Sequence, residues 1–159
     1  MEKLKQEALR LLRTAYKLQM AGRFEQAVAY YKKSLEAEPT AEAHTFLGWT
    51  YGMMGRLEEA IAECRRAISL DPDYGNPYND IGVYLMQQGK LDEAVPWLKK
   101  AMLAQRYENP EFPYANLATI CETKGLWPLA LKAFERALAL RPDYQIASEG
   151  IQRLRANLN

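Results

Sequence analysis

The chain holds one histidine, His44, and two cysteines, Cys64 and Cys121, and these bound the chemistry open to it. A hydrolase built on a Ser-His or Cys-His pair would have to use His44, with Cys64 as the nearest thiol in the expected fold. That use requires a lowered thiol pKa and an open cleft. Both residues instead fall at packing positions of helices, where a cysteine acts as a small hydrophobe. One histidine and two distant cysteines cannot supply a tetrahedral metal site, and two cysteines make no disulfide framework. No Gly-x-x-x-x-Gly-Lys phosphate loop is present. The acidic pairs Glu58-Glu59 and Asp92-Glu93 stand in first turns of helices, where they complement the helix dipole better than they would pair as acid and base. The expectation is therefore a non-enzymatic protein with no catalytic residue, no bound metal and no cofactor. An enzyme using Cys64 and His44 is the remote alternative.

The elements that would position any site follow a repeat. Gly-Arg-Phe-Glu-Gln-Ala starts at Gly22, Gly-Arg-Leu-Glu-Glu-Ala at Gly55, Gly-Lys-Leu-Asp-Glu-Ala at Gly89 and Gly-Leu-Trp-Pro-Leu-Ala at Gly125. Ahead of Gly55, His44, Leu47, Gly48 and Tyr51 share one helix face; behind it, Ala60, Cys64, Ala67 and Ile68 share another. Each glycine suits a left-handed helix end. Pro72 ends a helix, and Asp73 is expected to cap the next. The pattern predicts helices near 3–20, 24–37, 41–54, 58–70, 77–88, 92–104, 112–124 and 128–140. A last helix is expected near 144–158, with Ala147, Ile151, Leu154 and Leu158 inward. Pro96 falls inside the sixth helix and predicts a bend or a late start there.

On these residues the sequence resembles the tetratricopeptide repeat family. Repeat two offers His44, Leu47, Gly48, Tyr51, Gly55, Ala60, Cys64, Ala67 and Pro72. Repeat four offers Tyr114, Leu117, Ala118, Cys121, Gly125, Ala130, Phe134, Ala137 and Pro142. Repeat three lacks the closing proline, with Arg106 in its place, and two extra residues with Pro110 and Pro113 follow it. That departure should lengthen the connection and shift the stacking. The resemblance implies an all-α fold: a right-handed α-solenoid of four helix-turn-helix hairpins, near 8–40, 41–74, 75–108 and 111–144, with a capping helix at 144–158. The whole chain, 1–159, reads as a single such domain.

The resemblance also implies a concave face lined by the first helix of each repeat. Its expected groove residues are Tyr16, Met20, Trp49, Met53, Asn76, Asn79, Val83, Met86, Phe112 and Asn116, with Gln19 and Thr45 among their neighbours. Met suits adaptable surfaces, and Trp and Tyr are common anchors. The asparagines could hydrogen-bond an extended backbone. The carboxylate clamp of chaperone-binding members needs Lys and Asn in the first repeat and Lys and Arg in the third. Leu12, Tyr16, Asn76 and Asp80 stand there instead, so that clamp is not expected.

Charge and composition complete the reading. Apolar residues make up 48% and charged residues 26% of 159, with a net charge of +1. This excludes a disordered chain and argues against nucleic acid as the partner. Residues 1–34 carry eight bases and three acids; residues 35–75 carry three bases and eight acids. That polarity leaves a self-associating assembly, a homo-oligomer, as the alternative to a protein or peptide ligand. No membrane span is expected. The opening Met1-Glu2-Lys3-Leu4-Lys5 runs into a polar amphipathic stretch, so no secretory peptide is expected. A reducing cytoplasm is the expected location.

Overall fold

The computed structural model describes residues 1–158. Among these it contains nine helices and no strand: α1 (Glu2–Met20), α2 (Phe24–Ala37), α3 (Ala41–Met53), α4 (Leu57–Leu70), α5 (Asn76–Gln87), α6 (Leu91–Leu103), α7 (Glu111–Thr123), α8 (Trp127–Leu140) and α9 (Gln145–Leu158). The most extensive packing is within the pairs α1–α2, α3–α4, α5–α6 and α7–α8, followed by α8 on α9 and by each pair on the next. This is a solenoid of four hairpins closed by a fifth partner helix.

Each hairpin turns on a glycine that must have positive φ: Gly22, Gly55, Gly89 and Gly125 lie between 75° and 79°. A Cβ is disfavoured there by about 1–2 kcal/mol. Within the second and third hairpins, a second glycine brings the helices together. A Cβ on Gly82 would sit 2.5 Å from Cδ2 of the fully buried Leu98, and one on Gly48 would sit 3.0 Å from the Ala60 carbonyl. Small residues at Ala60, Ala94 and Ala130, all without solvent exposure, complete these seams.

The main core runs through repeats one to three and reaches Ile120 of α7. A second core joins Ala115, Ala118, Ala130, Phe134 and Ala137 to Ala147, Ile151 and Leu154 of α9. Leu158, expected inward, is 46% exposed because it lies past the last turn that α8 covers. Two further sequence expectations change. Asp73 does not cap α5: its backbone N–H donates to Asp71 Oδ1 at 3.0 Å, and the cap residue is Gly75. A capping side chain occurs instead at Thr40, whose hydroxyl oxygen accepts from the Ala43 N–H at 3.1 Å. Finally, α6 starts on time at Leu91 with Pro96 in its interior. The bond lost at Pro96 would have used the Asp92 carbonyl of an exposed first turn, where water can replace it.

The lengthened connection after α6 folds back on the solenoid. The Arg106 N–H donates to the Asp73 carbonyl and the Gly75 N–H to the Arg106 carbonyl, both at 2.9 Å. The Arg106 guanidinium lies 4.1 Å from the Tyr74 ring centroid and binds Asp71 at 2.6 Å and Glu42 at 3.1 Å. Arg106, standing where repeats end in proline, thereby clasps the ends of repeats two and three. Tyr107 packs directly on Gly75, which has no Cβ to obstruct it.

Candidate functional site

The proposed groove rests on α1, α3, α5 and α7, the first helix of each repeat. In α3 the residues Leu47, Gly48 and Tyr51 face the core, so Trp49, 100–200° away around the helix, points elsewhere. Its indole is 38% exposed and lies 6.3 Å from the Phe46 ring, which in turn lies 5.7 Å from the exposed Tyr16 ring. Phe46 also stacks on the fully buried Tyr31 at 6.2 Å. A continuous aromatic run thus crosses from repeat one to repeat two. Phe46 was absent from the expected set. Its signal in the sequence was a third aromatic three residues before Trp49.

Trp49 and Met53 border a cleft of about 230 Å³ whose other walls are Gly52, Val83, Tyr84, Gln87 and Asp80. Gly52 shapes it, since a Cβ there would meet the Tyr84 ring at 2.6 Å. Met53 is 47% exposed, yet its sulfur accepts from Gln19 Nε2 at 3.4 Å. Gln19, expected in the groove, is buried: its Oε1 accepts the Tyr31 hydroxyl at 2.7 Å. This chain of contacts fixes the Met53 side chain relative to repeat one. Thr45 is buried as well, bonding the Ala41 carbonyl at 2.8 Å.

The remaining expected residues divide. Asn79 is only 5% exposed, and its Oδ1 accepts from Asn116 Nδ2 at 2.9 Å. The two amides tie α5 to α7. Asn79 is spent on that bond, whereas Asn116 is half-buried. Met86 packs against the main core. Phe112 does not line the cleft; its ring packs on Tyr144 at 5.9 Å. Met20 is exposed at the end of α1, and Asn76 is half-buried at the start of α5. The structure therefore brings Tyr16, Trp49, Met53 and Val83 together around Phe46 and the cleft, and pairs Asn79 with Asn116.

The residues with catalytic potential are occupied structurally. Cys64 has no solvent exposure, and burial raises its thiol pKa well above the ordinary value, the opposite of what a nucleophile needs. His44 Nδ1 lies 2.6 Å from Glu63 Oε2, while Glu63 Oε1 accepts from Arg66 at 2.5 Å. Among the described residues no cluster of His, Cys, Asp or Glu could hold a metal ion, and no helix is long and apolar enough to cross a membrane. A larger cleft of about 520 Å³ opens between α6, α7 and α8, floored by Val95, Leu117, Ile120 and Leu129 and rimmed by Lys99, Lys124, Lys132 and Arg136. None of the expected groove residues lines it.

Comparison with known proteins agrees with this architecture. Two tetratricopeptide repeat family models match, over residues 12–75 and 73–143. The TPR repeat-containing protein YpiA of Bacillus subtilis is 27% identical over 132 residues, covering 83% of this chain and 31% of that protein. Sperm-associated antigen 1 of Mus musculus is 34% identical over 82 residues, 52% of this chain and 9% of its own length. The chain thus spans a third or less of these curated relatives. Among solved structures, Pseudomonas aeruginosa pilF superposes with a TM-score of 0.88 at 22% identity, covering 96% of this chain and 69% of that one. YrrB, described as a TPR protein with an unusual peptide-binding site, gives 0.69 at 22% identity, over 98% and 80% of the two chains. With four hairpins, four turn glycines and two family models spanning them, this chain belongs to the tetratricopeptide repeat family and has the fold of a protein-interaction scaffold.

Proposed function

We propose that the chain acts without catalysis, by holding a partner peptide or amphipathic helix along its concave face, anchored on Trp49. The observation that carries this reading is the run Tyr16–Phe46–Trp49, exposed at Tyr16 and Trp49, beside Met53 and its cleft. Large apolar side chains left in solvent by a well-packed fold mark interaction surfaces, and the two ways of filling such a groove are a helix laid in it or an extended strand. Asn116 and Asn76 are the amides placed to bond an extended backbone, since both keep access to solvent while Asn79 is buried. The two free cysteines suit a cytoplasmic setting.

A micromolar complex needs about 8 kcal/mol, of which a desolvated Trp anchor carries about 2 kcal/mol or more. Trp49→Ala should therefore weaken binding of a selected peptide by about 30-fold or more and barely shift the melting temperature. Titrations at two salt concentrations should differ little, because the anchors are apolar. Unchanged affinity in the mutant, or a tenfold loss on adding salt, contradicts this reading. Sedimentation across the same salt range separates partner binding from self-association through the charge-polar N-terminal half.

A further inference from the structure

Several carboxylates are partly or fully buried in this fold, and most of them are partnered. Glu63 accepts from Arg66 and lies against His44. Glu111 accepts from Asn109 at 3.3 Å and has Arg141 at 3.8 Å. Glu122 takes both ends of the Arg153 guanidinium at 2.7 Å. Asp80, half-buried, has no such partner. Among the described residues no lysine, arginine or histidine pairs with its carboxylate, and no side-chain or backbone donor bonds it. It is also the residue that lines the cleft beneath Trp49 and Met53. Enclosure alone raises its pKa, and its titratable neighbours Tyr74, Tyr84, Tyr107 and Cys64 bring no positive charge.

From this geometry we infer that the Asp80 cleft is a pocket for one basic side chain, lysine or arginine, of the partner peptide. This deepens the groove reading and rests on it. The cleft offers what a cation on an apolar stem requires. Met53, Val83 and Gln87 line a path for the methylenes. The indole of Trp49 and the ring of Tyr84 present the aromatic surface to which ammonium and guanidinium groups are drawn. Asp80 supplies the counter-charge. A half-buried carboxylate without a partner carries a desolvation cost, and a ligand cation offsets it at the moment of binding. The pair would be only weakly screened by salt, being sheltered in the cleft. A neutral or acidic side chain at this place would leave Asp80 unpaired or repelled, so the pocket also sets specificity.

A display library of random 12-residue peptides, selected on the full chain and on its Asp80→Asn and Trp49→Ala variants, tests this. The expected outcome is a set of peptides sharing one internal Lys or Arg at a fixed place, enriched on the wild type and not on Asp80→Asn. Replacing that basic residue by citrulline or glutamine in a synthetic member should weaken binding by about 10- to 100-fold, an arm that leaves the protein unaltered. Enriched peptides without a shared basic position, or equal binding by Asp80→Asn, would overturn the pocket while leaving the groove standing. A library that yields nothing weakened by Trp49→Ala would overturn the groove reading, and the pocket with it.

Discussion

Replacing Asp80 by asparagine should stabilise the protein, and the gain should depend on pH in a defined way. Burial raises the Asp80 carboxyl from its ordinary 3.8 to about 7. Its folded-state pKa therefore lies above its unfolded one. Below about 4 both states are protonated and the wild type loses nothing. Between about 4 and 7 the unfolded chain gives up its proton while the folded chain keeps it, so wild-type stability declines as pH rises through this window and levels off above it. A shift of that size corresponds to about 4 kcal/mol at full burial. The side chain keeps some access to solvent through the cleft, which brings the expected penalty to about 2 kcal/mol. The asparagine is isosteric and uncharged. At pH 8 it should raise the melting temperature by about 4–8 °C, at about 2–4 °C per kcal/mol for a chain of this size. At pH 5 the gain should be smaller, and below about pH 4 it should vanish. Thermal unfolding followed by circular dichroism at pH 5, 6.5 and 8 decides it. No gain at pH 8, or the same gain at all three values, would show that the carboxylate is solvated or partnered in solution.

Other consequences concern the scaffold. Ending the chain after Tyr144 removes Ala147, Ile151 and Leu154 from Phe134 and Ala118, so the truncated protein should melt lower and aggregate; an unchanged, soluble melt would refute the capping role of α9. Gly82→Ala must displace Leu98 and should cost about 1–3 kcal/mol by overpacking, measured as a shift of the urea midpoint without a change of slope. Cys64→Ala should cost about 1–3 kcal/mol and leave peptide binding intact, and native Cys64 should resist alkylation that reaches Cys121, since only Cys121 has access to solvent.

The sequence reveals the fold through features that act locally and recur. A glycine every 33 to 36 residues, an alanine five positions later and apolar residues at helical spacing place every helix boundary within one residue of its position in the structure. The orientation of Trp49 was likewise legible, because three neighbours on the same helix had already claimed the core. What escaped depends on contacts between repeats. Asn79 and Gln19 carry polar side chains at groove positions, yet each meets a partner more than ten residues away and is buried by it. Arg106 replaces a proline with an ion-paired clasp whose partners Glu42 and Asp71 lie 64 and 35 residues back. Asp80 marks only the absence of a known clamp in the sequence; its lack of a partner becomes visible once Gly52, Tyr84 and Trp49 close around it.

The central claim is that the concave face around Trp49 receives a peptide. The most direct measurement is a two-dimensional amide NMR titration of the isotopically labelled chain with a library-selected peptide. Shifts should concentrate on α1, α3, α5 and α7, with the Trp49 indole N–H and the Asp80 amide among the largest, while Leu129 and Lys132 of the α6–α8 cleft stay still. Shifts centred on that second cleft, with the Trp49 indole unmoved at saturation, would contradict it.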